Sequence, residues 1–291
     1  MWVPLALLTG VGWAAVVLVN QQVRMPGKQI MLWRGLVMCG VLLPVSLFCD
    51  WPHEMAFYGW CITLGLIVGI YDFIVFNVAR DHGAGVTTRT MPAGILVSFS
   101  IWIAFHEADR LALFAEPWRA AGVVLCLVGV VMSMWFVRKN PVNRAAFKAL
   151  APVILMTGML DVMNKMAVTS TEVPMFDRVI LYALIVSASS GVVTAVQITT
   201  DPQRKQIVRE AFQKKQLIGG CVLITAMLLA MMTKAPAMAD APNPAYVGAL
   251  MLTGAIWVVI FNRIRKVPDH SSIKAGLFFL ACIACLLLLK A

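Results

Sequence analysis

Ten apolar stretches, each close to the length that crosses a bilayer, fill almost all of this chain, and several carry ionisable side chains well inside them. A charged side chain at the centre of a bilayer costs about 2.5–3.5 kcal/mol on insertion scales. Such residues must therefore face protein or an aqueous cavity. The fold class that follows is an all-α polytopic membrane protein with a polar path between its helices.

Composition closes off the soluble alternatives. Of 291 residues, 60% are hydrophobic and 13% charged, and mean hydropathy is +0.84. Soluble domains run nearer to about 45–50% apolar and about 25% charged. The formal charge of +10 sits in short loops between apolar segments, where the positive-inside bias places it, so nucleic acid is not an expected partner. The start, Met1-Trp2-Val3-Pro4, lacks a basic n-region, and the apolar run through Trp13 is too long for a signal h-region. The first segment is expected to be retained as a helix. Cys282-x-x-Cys285 has metal-like spacing but lies in LACIACLLLL without a nearby histidine, and reads as ordinary small hydrophobes.

The helices are expected at about 3–22, 30–48, 57–79, 84–105, 118–136, 149–168, 178–199, 216–233, 243–261 and 273–290, each near the roughly 20 residues that span the hydrocarbon. The odd-numbered loops hold Arg24, Lys28, Arg80, Arg138, Lys139, Arg144, Lys148, Arg204, Lys205, Arg209, Lys214, Lys215, Arg263, Arg265, Lys266 and Lys274. The even-numbered loops hold only Arg110, Arg119, Arg178 and Lys234. The positive-inside rule then puts the odd loops in the cytoplasm and both termini outside. A division at Val137-Arg138-Lys139-Asn140-Pro141 leaves five helices in residues 1–140 and five in 141–291. An odd number per half inverts the second relative to the first, the plan of many secondary transporters. Both repeats form one integral membrane domain. The loop from Thr200 to Gln216, with QRKQIVREAFQKKQ, reads as a short interfacial helix whose cations meet anionic membrane lipids.

Three charges gather in one shallow band toward the cytoplasmic side. Arg34 lies roughly 6 Å into its helix, Arg89 roughly 7 Å and Asp72 roughly 10 Å. Asp161 falls near the midplane of the sixth helix, with Lys165 one turn on and Asn164 beside them, so Asp161 and Lys165 can pair as i,i+4 neighbours. As a substrate site, Arg34 and Arg89 would receive a carboxylate or phosphate, while Asp72 or Asp161 would meet an ammonium group. Burial disfavours an ionised carboxyl, which makes Asp72 and Asp161 the proton-coupling candidates. The rings of Tyr71, Trp102 and Trp257, inside their segments, are candidates to line the cavity. Structural readings stand beside these. Arg34 can snorkel, Asp72 and Arg89 can clamp two helices, and Asp161 and Lys165 can neutralise each other as packing glue. Gly65-x-x-x-Gly69 permits close backbone approach.

The stretch from Leu64 to Trp135 carries a family pattern. A glycine-rich helix ends in FNVARDHGAG, a helix with an early proline follows (Thr90-Met91-Pro92-Ala93), then an acidic connection (Phe105-His106-Glu107-Ala108-Asp109-Arg110) and an AGVVLCLVGVVMSM helix. With Trp33-Arg34-Gly35-Leu36 opening the second helix and MTKAPAMADAPNPAYVGAL in the second half, this resembles the EamA-like branch of the drug/metabolite transporter superfamily. The resemblance implies ten transmembrane helices in inverted halves and transport, usually export, of small metabolites. His106 replaces a family glycine, and Asn262-Arg263-Ile264-Arg265-Lys266 lacks the acidic residue of the second connection. The resemblance also implies cytoplasmic termini, against the charge count.

No catalytic constellation, metal cluster or phosphate-binding loop stands at usable spacing, so neither an enzyme nor a cofactor is expected. The expected function is secondary active transport across the bacterial-type inner membrane by alternating access. A proton-coupled exporter of a small zwitterionic or anionic metabolite, such as an amino acid or derivative, fits a site of both signs. A flippase of a lipid or lipid-linked head group is the alternative, and would require a lateral opening between helices.

Overall fold

A computed structural model describes residues 1–82, 91–137, 144–266 and 272–290, and these are helical with short connections. The helices are α1 (Trp2–Val23), α2 (Gly27–Ser46), α3 (Met55–His82), α4 (Gly94–Phe105, entered through a 3-10 turn at Met91–Ala93), α5 (Glu107–Phe114), α6 (Pro117–Val137) and α7 (Arg144–Thr169). They continue as α8 (Met175–Thr199), α9 (Arg204–Ala211), α10 (Lys214–Asp240), α11 (Pro244–Met251), α12 (Gly254–Ile264) and α13 (Ile273–Lys290). Among the described residues, eight spans are long and apolar enough to cross a membrane: α1, α2, α3 to Val75, α6 to Phe136, α7 from Leu150, α8, α10, and α11 with α12 taken together. Two shorter apolar helices, Gly94–Phe105 and Lys274–Leu289, stand beside them. The chain is a multi-pass α-helical membrane protein.

The two halves do not form separate bundles. The most extensive packing joins α1 to α10, α2 to α8, α6 to α13, α3 to α8 and α7, and α4 to α7. Each of these pairs takes one helix from either side of residue 140. The core therefore lies between the halves, where Leu64, Leu127, Leu181, Leu223, Met238 and Leu250 are fully buried. Lipid tails are as apolar as leucine, so helix association in a bilayer relies on close packing rather than on hydrophobic expulsion. Two contacts show how closely the backbones run. A Cβ on Gly65 would lie 2.6 Å from the Val186 carbonyl oxygen, and one on Gly254 would lie 2.5 Å from the Gly10 carbonyl oxygen.

Three features depart from the sequence expectation. The eighth span continues through Pro236 to Asp240 instead of ending at 233. Alanine-rich sequence has high helix propensity, and neighbouring helices in a membrane tolerate a proline that would break an exposed helix. The ninth span is interrupted at Leu252 and Thr253, leaving α11 and α12 as separate pieces. The acidic connection after the fourth span forms a helix of its own, α5, with Glu107 and Asp109 in its first turn, where the helix dipole favours negative charge.

The segment between Thr200 and Gln216 forms a short helix, α9, and it is docked on α2. The Trp33 indole N–H donates to the Ala211 carbonyl at 3.2 Å, the Trp33 and Phe212 rings lie 5.3 Å apart, and Lys28 pairs with Asp201. Thus the basic end of α2 is held under α9.

Candidate functional site

A series of polar contacts lies through the core from α2 to α10. It begins about 10 Å along α2 from its start, where the Arg34 guanidinium donates to Asp72 Oδ2 at 3.0 Å. Arg34 is only 6% exposed, too enclosed to be a snorkelling surface charge. Its Nε is buried without a hydrogen-bond partner. Next to Asp72 on α3, the Tyr71 hydroxyl lies 3.2 Å from the Thr157 hydroxyl of α7. From Thr157, helical spacing of three and four residues places Asp161, Asn164 and Lys165 on the same face of α7. This polar stripe points into the protein, with Asp161 and Lys165 each 7% exposed.

Lys234 of α10 donates to Asp161 Oδ1 at 3.0 Å. The sequence assigned Asp161 to its i,i+4 neighbour and counted Lys234 as a loop cation. The longer α10 carries Lys234 into the core, about 9 Å before the helix ends, and the ion pair bridges two helices. The other oxygen of Asp161 faces Gly248 of α11, where a Cβ would lie 3.2 Å from Oδ2. The absence of a side chain there lets the carboxylate sit against the backbone.

Lys165 is placed by a different need. The last carbonyls of a helix lack intrahelical partners, and cations near them are favoured by the helix dipole. The Lys165 ammonium donates to the carbonyls of Met238 at 3.0 Å and Ala239 at 3.3 Å, and also to that of Ala241. It caps α10 from the side. The same ammonium lies 5.2 Å over the Trp102 ring, an arrangement that a ring quadrupole stabilises. Trp102 in turn donates its indole N–H to Asp109 Oδ2 at 2.7 Å and stacks on His106. The Tyr182 hydroxyl of α8 donates to Asn164 Oδ1, and Tyr182 is 4% exposed, buried in the core.

Of the residues singled out from sequence, Arg34, Tyr71, Asp72, Asp161, Lys165 and Trp102 all take part in these core contacts. Trp257 does not. It is 48% exposed and lines a groove of about 280 Å³ with Val11, Ala14, Leu18, Ile260 and Phe261, on the outside of the bundle. Arg89 lies outside the described residues. Lys234, Thr157, Asn164 and Tyr182 complete the network. Lys234 was hidden by a helix end expected at 233, one residue before it, whereas Thr157 could have been found from its i,i+4 spacing to Asp161.

No family model and no curated protein matches this chain. Its fold has a solved counterpart. A chain described as "Crystal structure of protein" superposes on 100% of this chain and 99% of its own length, with a TM-score of 0.66 and 13% identity. At that identity the likeness is one of fold.

The site can therefore do two things chemically. It can present a buried cation and a buried anion to a solute carrying both charges. It can also exchange one internal ion pair for contacts to that solute, since each pair joins a buried charge to a partly exposed one.

Proposed function

We propose that this protein is a secondary active transporter of the inner (plasma) membrane, working by alternating access on a small zwitterionic or anionic metabolite, with an amino acid or derivative first. The observation that carries this reading is the pair of largely buried ion pairs, Arg34–Asp72 and Asp161–Lys234, with the Tyr71–Thr157 hydroxyl contact on the same two helices, α3 and α7. Intramembrane ionisable residues face cavities or one another and mark solute and proton pathways. The arrangement represents the closed form between two open ones. A solute that takes over the Asp161–Lys234 contacts would release α7 from α10. Asp72 and Asp161 are the proton-coupling candidates, since each loses its counter-ion when its pair opens.

Ten transmembrane segments in two inverted five-helix halves fit the packing. Exchanging α1 with α7, α2 with α8, α3 with α10, α4 with α11–α12 and α6 with α13 turns the contact α1–α10 into α7–α3. The same exchange turns α4–α7 into α11–α1 and α3–α8 into α10–α2, while α2–α8 and α6–α13 map onto themselves; all are contacts this chain makes. A pseudo-two-fold axis in the membrane plane has this property. The fourth and ninth segments, equivalent under the exchange, both carry an irregular turn, the first at Met91–Ala93 and the second at Leu252–Thr253. This is the packing that a two-repeat, drug/metabolite-type fold would give.

The flippase alternative gains little from the groove between α1 and α12, because the side chains that line it are apolar and offer a head group no polar route. Reconstitution into proteoliposomes decides between the readings. Uptake or counterflow of labelled amino acids, lost in Asp161→Asn, Lys234→Gln and Asp72→Asn, is expected. Intact transport in all three variants would remove these residues from the mechanism.

A further inference from the structure

The outer groove between α1 and α12 ends in a cation that the central charges do not use. The two helices meet at Gly10 and Gly254, where a Cβ on Gly254 would lie 2.5 Å from the Gly10 carbonyl oxygen. From the next residue of α1 onward a groove of about 280 Å³ opens, lined by Val11, Ala14 and Leu18 on one side and Trp257, Phe261 and Ile264 on the other. Spacings of three, four and seven residues put each set on one helix face. Both sets run away from the glycine contact toward the C-terminal ends of their helices, where Arg24 follows α1 and Arg265 and Lys266 follow α12. We propose that this groove is a binding site for one anionic phospholipid, with an acyl chain along the groove and the head-group phosphate on Arg265. The proposal rests on the membrane fold and not on the transporter reading.

The apolar stripe of α12 runs straight into a charge. Arg265 stands four residues after Phe261, and its guanidinium lies 4.7 Å over the Phe261 ring. That contact holds the cation at the mouth of the groove. Stacking leaves the N–H donors in the guanidinium plane open, and their planar fork matches a phosphate. Among the described residues no carboxylate pairs with Arg265 or Lys266. A helix C-terminus by itself repels an anion, so the site depends on the cations placed there.

The rest of the groove sets the kind of occupant. Its lining side chains are apolar, so a head group finds no polar route inward and the lipid is a resident rather than a cargo. Val11 to Leu18 and Trp257 to Ile264 each span about 10 Å of helix. That is less than half of the ~30 Å hydrocarbon core, so a chain from one leaflet covers it. Ala14 and Ala15, small beside Leu18, leave the hollow that the chain would fill. Cations that follow a membrane helix draw anionic lipids by the same attraction.

Arg263 supplies an internal control. It is exposed and lies about 200° around the α12 axis from Arg265, within roughly 3 Å of the same height. It therefore carries the same charge on the side of the helix away from the groove.

The test titrates the purified full chain in detergent with dioleoylphosphatidylglycerol and dioleoylphosphatidylcholine, and counts bound lipid by native mass spectrometry. One phosphatidylglycerol should be retained about fivefold more tightly than phosphatidylcholine, the worth of about one cation beside an anionic head group. Glycerol phosphate, which lacks the chains, should not displace it. In Arg265→Gln the phosphatidylglycerol should fall to the affinity of phosphatidylcholine, whereas Arg263→Gln should keep the preference. Ala15→Phe, which fills the groove, should weaken both lipids. Arg265→Gln and Ala15→Phe act on different parts of the site, and either carries the test if the other fails to fold. Equal loss in Arg263→Gln and Arg265→Gln would reduce the effect to a general attraction toward the basic end, and would overturn the site. Equal retention of the two lipids, or no retained lipid, overturns it as well. A self-associated chain that Ala15→Phe disperses would make the groove a contact between copies instead. None of these outcomes bears on transport by the central charges, so the two readings stand or fall separately.

Discussion

Lys234 Nζ stands 3.0 Å from Asp161 Oδ1 across the α7–α10 interface, and this pair separates a structural charge from a functional one. Removing one member of a buried ion pair leaves the other uncompensated and costs about 3–5 kcal/mol, whereas replacing both by apolar groups of similar volume is often neutral. Lys234→Met should therefore unfold at a clearly lower temperature than the parent protein. The double variant Asp161→Leu/Lys234→Met should recover most of that loss. Transport in proteoliposomes should be absent in both. Recovery of transport together with stability would make the pair packing glue.

The glycines of α3 offer a cleaner test of packing. A methyl group on Gly65 would come within 2.6 Å of both the Val186 carbonyl oxygen and the Ser189 Cβ, neither of which can swing away. Overpacking of this kind costs about 1–3 kcal/mol, so Gly65→Ala should lower thermal stability by that amount in detergent. Gly40 meets nothing within 4 Å, and Gly40→Ala should change stability by no more than about 0.5 kcal/mol. Equal effects at the two positions would contradict the close α3–α8 contact.

The helical membrane character was legible from apolar segments alone, because bilayer thickness sets their length and backbone polarity leaves no alternative to helix. Gly65 and Gly69 were legible for the same kind of reason, since small residues four apart signal close approach. The polar residues were found by type and depth, yet their partners were not. Asp161 goes to Lys234 because α10 runs seven residues past the expected end, and a proline in sequence does not say whether neighbouring helices will accommodate it. Lys165 caps a helix that begins far away in the chain, a need that no local pattern announces. Trp257 sits at the same kind of mid-segment position as Trp102, and only the rotation of α12 turns it outward.

A pH dependence follows where Lys28 meets Asp201. The hydrogen bond from Lys28 holds the Asp201 carboxyl below its ordinary value. A carboxyl with a lowered value in the folded state contributes stability that is fully present above its unfolded value and is lost as pH falls through the folded one. Docking of α9 onto α2 should thus be unchanged from neutral pH down to the ordinary carboxylate range, and loosen only below it. Hydrogen-exchange protection of residues 204–211, corrected for intrinsic rates, should fall over that acid window in the parent protein. In Asp201→Asn protection should be lower at neutral pH and lose this acid step.

The two tryptophans inside apolar segments should behave oppositely when removed. Trp102 is 3% exposed, hydrogen-bonded to Asp109 and placed under Lys165, so its loss uncouples the carboxylate from the ammonium that caps α10. Trp102→Phe keeps most of the ring and its face but not the N–H donor. It should lower the rate of transport at saturating solute by at least tenfold while keeping a folded protein. Trp257 borders only the apolar groove with Val11 and Phe261, and Trp257→Leu should leave both rate and half-saturating concentration within about twofold. Initial rates of uptake over a range of solute concentrations, measured in proteoliposomes of matched protein content, resolve the two effects. A Trp257→Leu variant as impaired as Trp102→Phe would mean that solute passes along the outer groove, with the buried charges serving only to hold the helices together.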